Sequence, residues 1–218
     1  MEIFFIGSNF MRLLQGATLT LEIALISIIF STLGGLVLGF MMTWKNLVVV
    51  GLCRFYLECI RIIPILAWLF IVFFGISQYF DISLSAFQSA IIVFSLWGVA
   101  EVGDLVRGAI TSLPKHQVES GKALGLQQWQ IMLYIIFPQA LRRLLPSIVS
   151  LSTRMIKTTS LVALIGAADL LQVGQQIIEL NKSQANASFW VYGGIFATYF
   201  LLCYPLSYLS RILEKKYQ

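Results

Sequence analysis

Long uncharged runs alternate with short polar ones along this chain. Ile23 to Thr43, Ile62 to Phe80, Ile82 to Ala100 and Phe189 to Ser210 each contain no charged residue. A helix needs about 20 apolar residues to cross the hydrocarbon of a bilayer, so each run predicts a span. A weaker stretch, Leu144 to Ala168, is interrupted by Arg154 and Lys157. Each such charge costs about 2.5–3.5 kcal/mol at a helix centre, against about −0.3 to −0.6 for each Leu, Ile, Val or Phe. That stretch is expected to cross only with its charges turned toward protein or water. The pattern predicts an all-α membrane protein in one domain, 1–218, with spans at about 18–43, 56–80, 82–110, 140–168 and 188–212.

Composition agrees: 58% of residues are hydrophobic and 11% charged, where soluble domains carry about 25% charged residues. Lys45, Arg54 and Arg61 follow span one; Arg107, Lys115, Lys122, Arg142 and Arg143 follow span three; Arg211, Lys215 and Lys216 close the chain. The turn after span two has no base and the connection after span four only Lys182. Basic loops stay cytoplasmic, so the amino terminus is expected outside and the carboxyl terminus inside. The same dispersal of bases excludes a nucleic-acid partner despite the net charge of +5. Cys53, Cys59 and Cys203 have no metal-ligand spacing and His116 is the single histidine, so no metal site is expected. The opening MEIFFIGSNF starts with an acid instead of a basic region, so no cleavable signal peptide is expected.

An odd span count argues against a carrier built from two internal repeats. A pathway is then expected between two such subunits. Gly35 and Gly39 in span one form a small-xxx-small pair, which suits close helix contact, either within the chain or between subunits.

Between spans three and four lies SLPKHQVESGKALG. Pro114 suits a first helical position and Gly125 a left-handed helix end, predicting about ten helical residues, roughly 15 Å at 1.5 Å per residue. Ser120, Gly121 and Ala123 leave one side nearly bare, suited to a groove on another protein. This segment resembles the signature E-A-A-x-x-x-G-x(9)-I-x-L-P of binding-protein-dependent ABC importer permeases. Glu119, Gly125, Ile135 and Pro138 fall on its fixed positions, while Ser120 and Gly121 replace the alanines and Phe137 the leucine. GATLTLEIALIS (16–27), YLECIRIIP (56–64), GDLVRGAITSLPKHQ (103–117) and KTTSL (157–161) resemble elements of the polar amino-acid subfamily, the histidine and glutamine permease type.

The resemblance implies a type I importer fold in the bacterial inner membrane. It implies that region 114–138 holds a coupling helix, with Glu119, Ser120, Gly121, Ala123, Leu124 and Gly125 docking on an ATPase. The implied partners are two ATP-binding-cassette subunits using ATP and Mg, a second permease subunit (copy or sister), a periplasmic or lipid-anchored binding protein, and a polar amino acid. Opines and other amino-acid-like solutes are the alternative cargo; an ATP-independent carrier or channel is the remote one. The chain has no G-x-x-x-x-G-K-[ST] phosphate loop, so it is expected to be a transport subunit, not an enzyme, with no cofactor of its own.

Glu101, Asp104 and Arg107 are spaced by three, as are Glu58 and Arg61. Two readings stand: helix-end ion pairs (Glu58, Arg61, Asp104, Arg107) and pathway groups. Glu101 lies about 9 Å deeper than Arg107, where it would meet a substrate ammonium or pair with Arg154 or Lys157. The resemblance implies an acid at the place of Thr158, which many members of that subfamily carry. Arg154, Lys157, Thr158 and Ser160 complete the candidate pathway set, with Arg154 and Lys157 either meeting a substrate carboxylate or bracing the fourth span.

Overall fold

In the computed structural model, residues 2–182, 184 and 186–217 are described. Helix α1 (Asn9–Met41) is followed by α2 (Leu47–Ile62) and α3 (Ile65–Phe80), then α4 (Ala86–Thr111) and the short α5 (His116–Ala123). A long helical element, α6 (Gln128–Ile165), leads to α7 (Leu170–Leu180) and α8 (Ala187–Tyr217). Helices α1, α4, α6 and α8 are each long and apolar enough to cross a membrane, and the bent pair α2–α3 makes a fifth if it counts as one span.

That pair breaks the expected second span, 56–80, at Pro64. The two helices meet at 96°, because Ile63 takes an extended conformation before Pro64. Proline disfavours the helical region for the residue before it and brings no N–H of its own. The apolar run continued past the break, so hydropathy alone hid it. Helix α3 itself carries a π-turn at Ile71–Gly75.

Other boundaries also differ from the expected spans. Helix α1 begins at Asn9, where Arg12 donates to Gln176 of α7 at 2.7 Å. Helix α4 begins at Ala86 instead of 82: Asp81 is left-handed, and Ser85 and Gln88 form a reciprocal capping box. Such a box satisfies two orphan donors of the first turn. Helix α6 starts at Gln128, inside the expected coupling region, and runs as one element through a π-turn at Ile131–Ile136 and Pro146. It tightens to a 3₁₀ helix over Thr159–Ile165 and stops at Gly166, φ 81°.

Helix α1 packs along α4. A methyl group at Gly35 would overlap Val102 and lie 3.0 Å from the Gly103 amide nitrogen; one at Gly98 would overlap Ser31. The small-residue pair of span one therefore serves contact within the chain. Ile23, Leu69, Val72, Phe94 and Val162 form the largest core cluster, joining α1, α3, α4 and the end of α6. Replacing Gly35 with Val forces α1 and α4 apart, at the roughly 1–3 kcal/mol of overpacking. The expected outcome is a lower Tm for the detergent-purified chain, with an equal or higher Tm for Gly51→Ala, where open space surrounds a helical position and alanine favours the helix.

Asp169 caps α7 beyond the fourth span. Its Oδ1 accepts from the Gln172 amide at 2.9 Å, while Oδ2 is buried without a partner among the described residues. Burial pushes its carboxyl up to about 6. A folded-state pKa above the unfolded value of about 3.9 means the fold favours the protonated acid, so its stabilising share is present below pH 4 and lost as pH rises toward 6. Asp169→Asn keeps a capping oxygen and removes the titration. The Tm gap between variant and parent is expected to favour the variant above pH 6 and shrink below pH 4; a pH-independent gap counts against burial as the cause.

Candidate functional site

Glu101 sits on the face of α4 that meets both α2 and α6. Its Oε1 accepts from Arg61 Nε at 3.2 Å and its Oε2 from Arg154 Nη2 at 2.8 Å. Arg61 also reaches Asp104 at 3.0 Å, and Arg107 binds Asp104 through two nitrogens at 2.7 and 3.0 Å. Arg154 completes its surroundings over the Trp97 ring, 5.8 Å from the centroid. Cation–π attraction of this kind adds about 0.5–1 kcal/mol at an exposed site.

The paired reading is thus corrected in its partners. Arg61 does not pair with Glu58 on its own helix; it crosses to the two acids of α4. Arg61 stands in the last turn of α2, which packs on α4 through Tyr56, whose hydroxyl donates to the Leu96 carbonyl at 2.7 Å, while Glu58 is exposed. Both oxygens of Glu101 accept from arginines, and each keeps a second lone pair.

Lys157 lies one turn beyond Arg154 on α6, exposed and outside the ion pairs found among the described residues. A cleft of about 270 Å³ runs between α6 and α8, lined among others by Ser150, Arg154, Lys157, Ser207, Arg211 and Glu214. Thr158 and Ser160 do not line it. Their hydroxyls donate back to the carbonyls of Arg154 and Lys157, each at 2.9 Å. Ser210 Oγ donates to the Pro146 carbonyl at 2.9 Å, pinning α8 to α6 beneath the cleft.

Helix α5 stands outside the bundle. It closes with Gly125 left-handed at φ 77°, the Leu126 amide donating to Gly121 O at 3.1 Å and the Gly125 amide to Lys122 O at 2.9 Å. This is the doubly bonded C-terminal cap that glycine favours. Gly121 is buried: a methyl there would come within 2.8 Å of Ile131. Its bareness seats α5 on the first turns of α6 and does not form an outward groove-filling face, which corrects its expected role. Glu119, Ser120, Ala123, Leu124 and Gly125 are exposed, Leu124 at 79%.

Residues 32–218 match the family described as binding-protein-dependent transport system inner membrane component. The chain belongs to that family. This permease is 31% identical over 205 residues to the glutamine transport system permease protein GlnP of Escherichia coli K12, covering 94% of this chain and 92% of that one. It is 33% identical over 200 residues to the probable glutamine ABC transporter permease protein GlnP of Bacillus subtilis 168, covering 92% and 91%. A solved structure of an amino acid ABC transporter with histidines superposes at TM-score 0.85 and 26% identity over 94% of both chains. The MetNI methionine ABC transporter shares the fold at TM-score 0.77 and 19% identity, over 96% of this chain and 99% of that one. The permease is an inner-membrane ABC transporter subunit of the amino-acid class.

Ser150, Ser207, Arg211 and Glu214 of the cleft were missed in the sequence reading. A signal was available: Arg143, Ser147, Ser150, Arg154 and Lys157 follow a four-three-four-three spacing, which keeps them on one helix face. In a double-mutant cycle of the permease, Glu101→Gln and Arg154→Gln are expected to couple by about 0.5–3 kcal/mol, the single changes together costing more Tm than the double. Additive losses would mean that the Glu101–Arg154 contact carries no net interaction.

Proposed function

We propose that the permease and a second permease subunit, a copy or a sister, line a pathway for polar amino acids that switches between inward- and outward-facing states. The amino terminus is outside and the carboxyl terminus cytoplasmic, as the Lys and Arg positions favour. Two ATPase subunits, carrying the ATP and Mg, dock on α5, and a binding protein delivers cargo from the other side.

One observation carries the ATPase reading: Leu124 is 79% exposed at the end of an eight-residue helix that projects from the bundle. An isolated leucine there gains nothing from the chain's own core, whereas a partner groove would remove its apolar surface from water. Glu119, Ser120 and Ala123 surround it with small or polar contacts. Gly121 fixes the knob to α6 from behind.

For the cargo, the glutamine function of the two GlnP relatives agrees with the chemistry of the α6–α8 cleft. Lys157 offers an ammonium for a substrate carboxylate, while Ser150 and Ser207 supply hydroxyls at the same cleft. Glu101 acts through Arg154, holding the guanidinium in place.

Reconstitution with the partner ATPase and binding protein tests the reading. Uptake is expected to require ATP and all components, with glutamine preferred in an amino-acid panel; uptake by the permease alone without nucleotide overturns it. Leu124→Asp and Glu119→Lys are expected to abolish ligand-stimulated ATP hydrolysis at unchanged Tm. Lys157→Gln is expected to weaken uptake at limiting glutamine by about tenfold, the loss of one charge-assisted bond, with hydrolysis in the absence of substrate unchanged.

A further inference from the structure

A second cleft, of about 970 Å³, opens between the end of α1, α5 and the first turns of α6, walled by Phe40, Trp44, Lys45, Val118, Lys122 and Trp129 among others. We infer that it binds an anionic phospholipid, the phosphate held between Lys45 and Lys122 and an acyl chain laid along α1. The inference rests on the proposed orientation, which puts this end of α1 at the cytoplasmic surface.

Three observations carry it. The first is charge: two lysines line the cleft and no carboxylate does. The second is the apolar track that enters it. Leu25, Ile29, Leu33, Val37, Phe40 and Trp44 recur every three or four residues on α1 and its end, and all are exposed. From Leu25 to Val37 the track covers about 18 Å at 1.5 Å per residue, slightly more than the depth of one leaflet of a roughly 30 Å hydrocarbon core. The third is the aromatic rim: Trp44 and Trp129 are 50% and 56% exposed, as side chains anchored at headgroup level are. Gln128 adds an amide beside them that can donate to phosphate or glycerol oxygens.

The cleft and the proposed ATPase site use largely different faces of α5. Val118 and Lys122 are four apart and share one face, Ser120 lies opposite and Ala123 about 100° from Lys122, while Glu119 borders the lysine at about 60°. A lipid there touches α1 and α5 together, so the seating of the proposed coupling helix would respond to headgroup charge.

Native mass spectrometry of the full-length permease, released from micelles doped with phosphatidylglycerol or phosphatidylcholine, tests the inference. Phosphatidylglycerol is expected to be retained preferentially. Lys45→Gln with Lys122→Gln is expected to weaken retention about 30-fold, equivalent to about 1 kcal/mol for each lysine near an anionic surface. Lys45→Arg with Lys122→Arg should keep retention, and both doubles should keep the parental Tm. Equal retention of the two lipids, or no change in the glutamine double, overturns the inference. So does displacement of the lipid by excess inorganic phosphate, which would make this a free-anion site, or loss of retained lipid in the assembled transporter, which would assign the track to a protein neighbour. None of these readouts needs ATP or substrate, so failure here is separable from failure of the transport reading.

Discussion

A carboxylate shared between two arginines from different helices is the interaction on which the arrangement turns. Helix α6 brings Arg154 and Lys157 into a span that hydrocarbon would reject, and α2 brings Arg61 to the bend before α3. Glu101 answers Arg154 and Arg61 at once, at 2.8 and 3.2 Å, and Asp104 answers Arg61 and Arg107. Such charges enter a membrane protein only where they face a partner or water. The junction therefore fixes which face of α6 turns inward, and that face is the wall of the cleft against α8. Partial exposure of the arginines keeps each pair modest in energy, so the larger consequence is geometric: three helices are held in one register.

Helix α6 also ties that junction to the knob at its other end. Gly121 rests on Ile131 and Ile135 in the first turns of α6, and Arg154 and Lys157 lie on the same helical element. From Ile131 to Lys157 is about 39 Å at 1.5 Å per residue. Displacing α5 must displace the near end of this element, because the glycine leaves no slack between them. The π-turn at Ile131–Ile136 and Pro146 are places where a helix ladder is locally relaxed.

The all-helical class, the apolar stretches and the family signature were legible in the sequence because each rests on local information: run length, small-residue spacing, caps. What was not legible depended on direction in space. Pro64 is a mild mark inside an apolar run, yet it turns the second span through 96°. Arg61 reaches Glu101 and Asp104 across the helix pair instead of Glu58, a contact that only the packing of α2 on α4 reveals. Gly121 looked like part of a bare outward face, but helical phase puts it against Ile131. The cleft residues on α8 could not be read from spacing alone, since Ser207, Arg211 and Glu214 become functional candidates only once α8 lies along α6.

In the proposed roles, the two clefts would let one positively charged chain keep a lipid phosphate and a substrate carboxylate apart. In the α6–α8 cleft, Glu214 stands with Arg154, Lys157 and Arg211, and the walls are rich in hydroxyls. Such walls suit a small, strongly hydrated solute, whose lost water contacts must be replaced by hydrogen bonds. In the α1–α5 cleft the lysines are joined by tryptophans and an apolar track, and a free amino acid would gain little from such surfaces. Charge attracts an anion to either place; the neighbouring surface decides whether the anion must also be oily. In the proposed roles, that difference in surface would keep a lipid headgroup from competing with an amino acid beside Lys157.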